Sequence, residues 1–329
     1  MAVRSIHLPG DLVPFADMLI ETFQYPENPE WSVQEDEQED ISRELRSLRR
    51  LWPAVRVAQL LSPPLRDLFR GFVWEEDRRM GAVVVAQRRG ATKMWTIGAV
   101  GVLPEFRRRG LARKLLTTTL DDVRERGGTH VILAVIDKNV PAYSLYRSLG
   151  FEHYSSQIEF HIDANAVGKS VSAMPSSYSR RPLDRFDWKT RYELAQRITP
   201  DEVATYEPVV PERFRTPAPI RLLMPALDKL QKRIEHRTAI SHIGTVIGHG
   251  GYRTTKAGKG TSSIWAEVDP AHPDVARPLV ESLLADVSSL RPSLRIQFAT
   301  STWMPALCEA ATDLGFVRRL EYHWLGLKL

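Results

Sequence analysis

Apolar residues in this chain recur with two periods, every second position and every third or fourth, and the order in which the periods appear occurs twice. Val3 to Leu8 reads as a strand, and Leu12 to Phe23 follows with helical spacing. Tyr178 to Leu183 and Trp188 to Ile198 repeat that order. Each half then presents a hairpin. In the first it is Phe72-Val73-Trp74, a charged turn and Met80 to Gln87; in the second, Ala239 to Ile243 and Thr245 to Tyr252, where glycines loosen the alternation.

A third strand ends in Val-x-Pro in both halves, Ile97 to Val102 with Pro104 and Ile264 to Val268 with Pro270. The segments Leu111 to Arg126 and Leu279 to Leu290 follow as helices, and Val131 to Ile136 and Leu294 to Ala299 as apolar strands. A short helix closes each half on Leu149-Gly150-Phe151 or Leu314-Gly315-Phe316, where glycine suits the left-handed residue beyond a helix end. Two copies of one module account for this order. The expected architecture is mixed α/β, with domains at residues 1–162 and 178–329. Each would be a mostly antiparallel mixed sheet flanked by helices, and residues 163–177, rich in Ala, Asn, Gly and Ser, would link them.

The bulk properties narrow the class. A chain of 329 residues with 43% apolar and 26% charged residues is ordinary for globular domains. Its apolar runs, such as Val83-Val84-Val85-Ala86, are too short to cross a bilayer. Met1-Ala2-Val3-Arg4 leads into no apolar signal region, and a single cysteine, Cys308, forms no internal disulfide. A cytoplasmic setting is expected, away from membranes. The net charge of +5 is modest, and the densest basic cluster is local: Arg107-Arg108-Arg109 with Arg113 and Lys114. That fits one small polyanion better than a nucleic acid. The nine histidines show no metal-ligand spacing, so no metal is expected. Gly258-Lys259-Gly260-Thr261 lacks phosphate-loop spacing and reads as a hairpin loop.

The segment from Val100 to Ala112 joins a strand to a helix in a way that suits a pyrophosphate. Gly110 removes a Cβ at the turn, Ala112 is small, and unpaired N–H groups converge at a helix N-terminus where the dipole is positive. The competing reading is a surface turn with solvated arginines. Downstream, Pro141 fits a first helical position, and Ala142, Leu145, Tyr146 and Leu149 share one helix face.

Together these segments resemble motifs A and B of the GNAT superfamily of N-acetyltransferases, R/Q-x-x-G-x-G/A and N-x-x-A-x-x-L-Y-x-x-x-G-F. The resemblance covers about Val3 to Phe160 and implies an acetyl-CoA-dependent N-acetyltransferase built as two tandem GNAT-like domains. It implies that Val100, Gly101 and Val102 offer strand-edge backbone to the acetyl and pantetheine groups, with Gly98 and Gly101 consistent with a bulge where the strands splay. The turn Arg107, Arg108, Arg109, Gly110, Leu111, Ala112 and Arg113 would hold the pyrophosphate. Asn139 would bond the pantetheine arm, and Tyr146 would protonate the departing thiolate. The competing reading for Tyr146 is a core tyrosine. The acceptor would be an amine of a small molecule or peptide, attacking directly in a ternary complex; the alternative is a coenzyme A sensor without turnover.

Ala134 stands where some members of the family carry a glutamate base. Glu75, Glu76, Asp137 and His153 are near by sequence only, so no base is assigned. The acceptor side should involve Phe15, Phe23, Tyr25 and Trp31, beside Glu35 to Asp40, read as a solvated acidic loop. In the second half, Pro273, Asp274, Ala276 and Pro278 stand opposite Arg107, Arg108, Gly110 and Ala112, while Met304 and Ala311 stand opposite Asn139 and Tyr146. The apolar scaffold persists there and the chemical positions are lost.

Overall fold

The computed structural model describes residues 2–61, 63–67, 69–168, 173–257 and 259–329. The centre of the expected linker, 169–172, and Gly258 of the glycine-rich hairpin lie outside them. The first half runs β1 (Ala2–Ser5), α1 (Leu12–Thr22), α2 (Glu35–Leu61), β2 (Arg70–Glu76), β3 (Arg79–Arg88), β4 (Met94–Val102), α3 (Leu111–Glu125), β5 (His130–Ile136), α4 (Val140–Ser148) and β6 (Glu152–Asp163). The second runs β7 (Tyr178–Pro182), α5 (Trp188–Ile198), α6 (Asp201–Tyr206), α7 (Pro211–Phe214), α8 (Ala218–Gln231), β8 (Arg233–His242), β9 (Thr245–Thr255), β10 (Ser262–Val268), α9 (Ala276–Leu290), β11 (Arg295–Ser301), α10 (Pro305–Asp313) and β12 (Val317–Lys328). The strands and helices of the repeat read from the apolar pattern recur in the same order in both halves, which differ where the first has one helix, α2, and the second three, α6 to α8.

All strands join one mixed sheet in the order β1-β2-β3-β4-β5-β12-β6-β11-β10-β9-β8-β7. The centre of that order is crossed. The last strand of the second half, β12, pairs with β5 (Tyr322 opposite Ile136, Lys328 opposite His130), and the last strand of the first half, β6, pairs with β11 (Asp163 opposite Arg295, Gln157 opposite Ser301). β6 and β12 pair with each other antiparallel, with irregularities at Arg319 and between Trp324 and Leu325. Each half thereby closes the other's sheet, with β12 covering one edge of β5 and β6 one edge of β11.

The cores follow the exchange. One cluster, around Val83, Trp95, Leu115, Leu116 and Phe151, takes in Leu325 from the C-terminal strand. The other, around Leu279, Leu283, Ile296 and Phe298, takes in Phe160 and Ile162 from β6. Leu325 is fully buried, a side chain whose burial stabilises by about 1.5–3 kcal/mol.

One sequence expectation is corrected. Glu35 to Asp40 is the opening of the 27-residue helix α2, not a loop. Three acidic residues in its first turn face the positive end of the helix dipole, and the Glu37 carboxylate accepts a 2.9 Å bond from the Gln34 N–H. Helix α2 is polar around most of its circumference: of its 27 residues Ser47, Trp52, Val55 and Ala58 are buried, with Leu45 and Leu48 packed beside Trp52, Val55 and Leu12 of α1. Its apolar period is correspondingly faint.

Candidate active site

The parallel pairing of β4 with β5 runs from Met94–His130 to Ile97–Leu133 and then stops, although β4 continues to Val102 and β5 to Ile136. The backbone edge of β4 beyond Ile97 is therefore open toward β5. Gly98 is the unpaired residue of a bulge, since Val85 faces Ala99 and Ala86 faces Ile97 across β3. A bulge adds twist and helps turn the strand away from its neighbour. Gly101 sits in regular pairing with Val83, and a Cβ there would lie 3.2 Å from Thr22 Cγ2, so glycine lets α1 close onto the sheet.

Where β4 ends, the chain turns into α3 through two left-handed residues, Arg108 (φ 61°) and Gly110 (φ 71°). The alternation leaves the first N–H groups of α3 directed out of the helix end without helical partners. Gly110 serves here through its backbone conformation: an added Cβ would meet no atom within 4 Å in the free protein. Arg107 Nε bonds the Val102 carbonyl at 3.2 Å, and Arg113 bridges to Ser148 of α4 at 2.7 Å. Arg109 is turned away, paired with Glu76 at 2.9 Å and stacked over Phe106.

Helix α4 opens on Asn139, whose Oδ1 accepts from the Ala142 N–H at 3.3 Å, with proline in the first turn. The cap occupies the carbonyl oxygen and leaves the Asn139 NH₂ free to donate. Tyr146, two turns on, is 6% exposed and packs edge-on against Phe151. Burial, and then the neighbouring Tyr25, push its phenol above the usual range, so it holds its proton across physiological pH.

These groups line one cavity of about 540 Å³. Val100, Val102, Arg107, Arg108, Gly110, Leu111, Ala112, Arg113, Asn139 and Tyr146 border it, joined by Thr22 and Tyr25 from the end of α1. Gly101 and Arg109 do not. Tyr146 also belongs to the hydrophobic core, so its packing and its place at the cavity coexist.

Of the groups near by sequence, Glu75 is tied to Arg4 at 2.7 Å, Glu76 to Arg109, and His153 to the Ser155 carbonyl. A cluster that the sequence order hides lies across the central strands instead. Arg319 of β12 bonds Glu37 of α2, and Glu159 of β6 at 3.0 Å. Burial raises the Glu159 carboxyl, although Arg319 opposes it. Burial also raises the Tyr322 phenol, with Glu159 and Tyr25 adding to the effect. Tyr25 thus perturbs both Tyr322 and Tyr146, and links this cluster to the cavity. Tyr25 and Trp31 meet edge-on at 5.5 Å, whereas Phe15 is in the core.

The second half keeps the splay and loses the turn. β10 pairs with β11 only from Ser262–Ile296 to Ile264–Phe298. Among the described residues between Val268 and Leu279 no backbone is left-handed. Met304 stands at the start of α10 without a side-chain cap, and Ala311 is fully buried.

The model of the Acetyltransferase (GNAT) family matches residues 20–151. N-alpha-acetyltransferase 30 of Schizosaccharomyces pombe is 31% identical over 116 residues, 32% of this chain and 77% of that protein. The ribosomal protein bS18-alanine N-acetyltransferase of Salmonella typhimurium is 33% identical over 102 residues, 29% of this chain and 68% of that protein. A mycothiol acetyltransferase of Thermobifida fusca is 38% identical over 93 residues, and the match spans only 27% of either chain. Among solved structures, a tandem GNAT protein from the clavulanic acid biosynthesis pathway superposes with TM-score 0.66 at 14% identity, covering 99% of this chain and 98% of the other. At that identity the likeness speaks for the fold alone.

Proposed function

The chain belongs to the GNAT family of acetyltransferases, and from that premise we propose that it transfers acetyl from acetyl-CoA to an amine through the cavity between β4, α3 and α4. The observation that carries this reading is the convergence of three features on one cavity: the open edge of β4, the left-handed turn at Arg108 and Gly110, and the Tyr146 hydroxyl. The residues present fit the donor. Unpaired N–H groups at the start of α3, with Arg107, Arg108 and Arg113 around them, suit a pyrophosphate. The open edge of β4 and the Asn139 NH₂ suit a chain of amides. When bound, acetyl-CoA supplies an activated carbonyl whose C–S bond breaks as the new C–N bond forms.

The protein's own work is positional and protonic. The β4 backbone orients the carbonyl against the splay. One proton must reach the departing sulfur, and this role is assigned to Tyr146, which burial keeps protonated beside the second cavity phenol, Tyr25. Another must leave the acceptor nitrogen, since an alkylammonium of pKa near ~10 does not attack. The acceptor reaches the splay from the side of Tyr25 and Trp31, where β12 of the second half brings Arg319 and Tyr322. In this reading residues 1–162 act as the catalytic domain and 178–329 as a degenerate copy that completes the sheet.

The test is release of free thiol from acetyl-CoA with a panel of polyamines, amino acids, aminoglycosides and peptides. Amine-dependent release supports the reading. Tight coenzyme A binding with no release for any amine favours a sensor.

A further inference from the structure

Outside the proposed donor cavity, the C-terminal half holds a second, more enclosed cavity of about 310 Å³ against the splay of β10 and β11. It stands where the approach beside Tyr25 stands in the first half, but at the opposite end of the sheet. β5 and β11 run in opposite directions, and their open ends at Ile136 and Ser301 stop level with the Gln157–Tyr322 pair, so the two splays open in opposite directions along the sheet. The phosphate turn is gone on this side, yet the cavity persists.

Its wall has a distinct chemistry. Trp265, Trp303, Trp324 and Phe214 supply aromatic surface, and Glu267 supplies a carboxylate. Among the described residues, the Glu267 carboxylate has one ion-pair partner within 4.0 Å, His249 at 3.2 Å, and no lysine or arginine. Arg89 and Arg213 also border the cavity, but both are committed to Glu207, at 2.5 and 2.7 Å, whose other oxygen accepts from Tyr154 at 2.8 Å. The formal charges bordering the cavity cancel, two arginines against Glu207 and Glu267, and Glu267 is the carboxylate left without an arginine bonded to it. A second sign of an incomplete site is Thr300, 3% exposed on the same wall, whose Oγ1 has no hydrogen-bond partner.

We propose that this cavity binds a small organic ammonium ion, seated between Trp303, Trp324 and the Glu267 carboxylate, the Trp265 ring being already covered by Arg237 at 5.5 Å. A cation over an aromatic face is attracted by the ring quadrupole, and the attraction grows as water is excluded. An ammonium group bonded to Glu267 would also neutralise its charge. Burial pushes the Glu267 carboxyl up, but His249, Arg213 and Arg191 outweigh it and hold it below the usual range, so the anion is present at neutral pH. An anionic ligand would meet the open carboxylate and two occupied arginines. The cavity is too small and too enclosed for a polymer.

Titration calorimetry on the full chain tests this with choline, with its neutral isostere 3,3-dimethylbutan-1-ol, and with n-butylammonium. At least one of the two cations should bind saturably below about 10 mM, and the neutral isostere should not. Glu267→Gln, an isosteric change, should weaken cation binding about tenfold or more, as expected for loss of a charge-assisted bond. Trp303→Ala should weaken it independently. Acetyl-CoA affinity should stay unchanged in both variants, which separates this site from the donor cavity. Equal binding of the neutral isostere overturns the proposal. So does cation binding that survives Glu267→Gln at full strength, or absence of binding for both cations.

Discussion

Replacing Gly110 isolates the backbone conformation of the turn from everything else around it. The residue has φ 71° and ψ 6°, and an added Cβ would find no atom within 4 Å. The cost of Gly110→Ala is therefore conformational and not steric, about 1–2 kcal/mol for an L-residue held left-handed. If the turn relaxes in the free protein and must be restored on binding, that energy appears as lost acetyl-CoA affinity. At 1.4 kcal/mol per factor of ten, the loss is about 5- to 30-fold. Gly127 is the matched control, with φ 71°, no atom within 4 Å of a built Cβ, and a position beyond the far end of α3. Calorimetric titration with acetyl-CoA should show the loss for Gly110→Ala only, while denaturant unfolding shows similar, small destabilisation for both. Gly110→Pro, whose ring fixes φ near −65°, should abolish binding. Equal affinities for the wild type and Gly110→Ala without a matching loss of stability of about 1–2 kcal/mol, or an equal affinity loss for Gly127→Ala, would refute the assignment of the turn.

Other perturbations test the remaining links. Tyr146→Phe should leave acetyl-CoA affinity nearly intact and lower kcat about 10²–10⁴-fold once an acceptor is known; unchanged turnover would leave Tyr146 a packing residue. Titration of the whole chain should give a ratio near one coenzyme A, because the second half has lost the glycine, arginine and asparagine together; a ratio near two would refute its degeneracy. Arg319→Ala strands Glu37 and Glu159 across the exchanged strands and should cost about 3–5 kcal/mol by denaturant unfolding, as for removal of one member of a buried ionic cluster. A loss under 1 kcal/mol would mean that the cluster is solvated. Burial pushes the Glu207 carboxyl up, but Arg89 and Arg213 outweigh it and hold it below its ordinary value. Its stabilisation is thus present above the unfolded-state pKa of about 4.3 and is lost as pH falls through the folded value. Glu207→Gln should flatten the acid limb of a stability–pH profile, and an unchanged limb would assign acid lability elsewhere.

The sequence by itself determined the repeated order of elements and the left-handed turn at Gly110, which we propose holds the donor. Both are local. Alternating and helical periods report which face of an element is buried, and a glycine before a helix start reports a backbone conformation that its neighbours cannot change. Asn139 and Tyr146 were legible for the same reason, since the spacing that puts them on one helix fixes their relation to each other. Two long helices escape the pattern, α2 and α8, because each buries little: Ser47, Trp52, Val55 and Ala58 in the first, Gln231 in the second. Tertiary structure alone decided which strands meet. β6 and β12 have the same local character, and either could close either half; nothing in their alternation states that Leu325 completes the first core and Phe160 the second. That choice brings Arg319 to Glu37, 282 residues away, and sets Trp324 in the wall of the second cavity. Such contacts depend on how two edges pair in space, a relation between distant segments that no window along the chain contains.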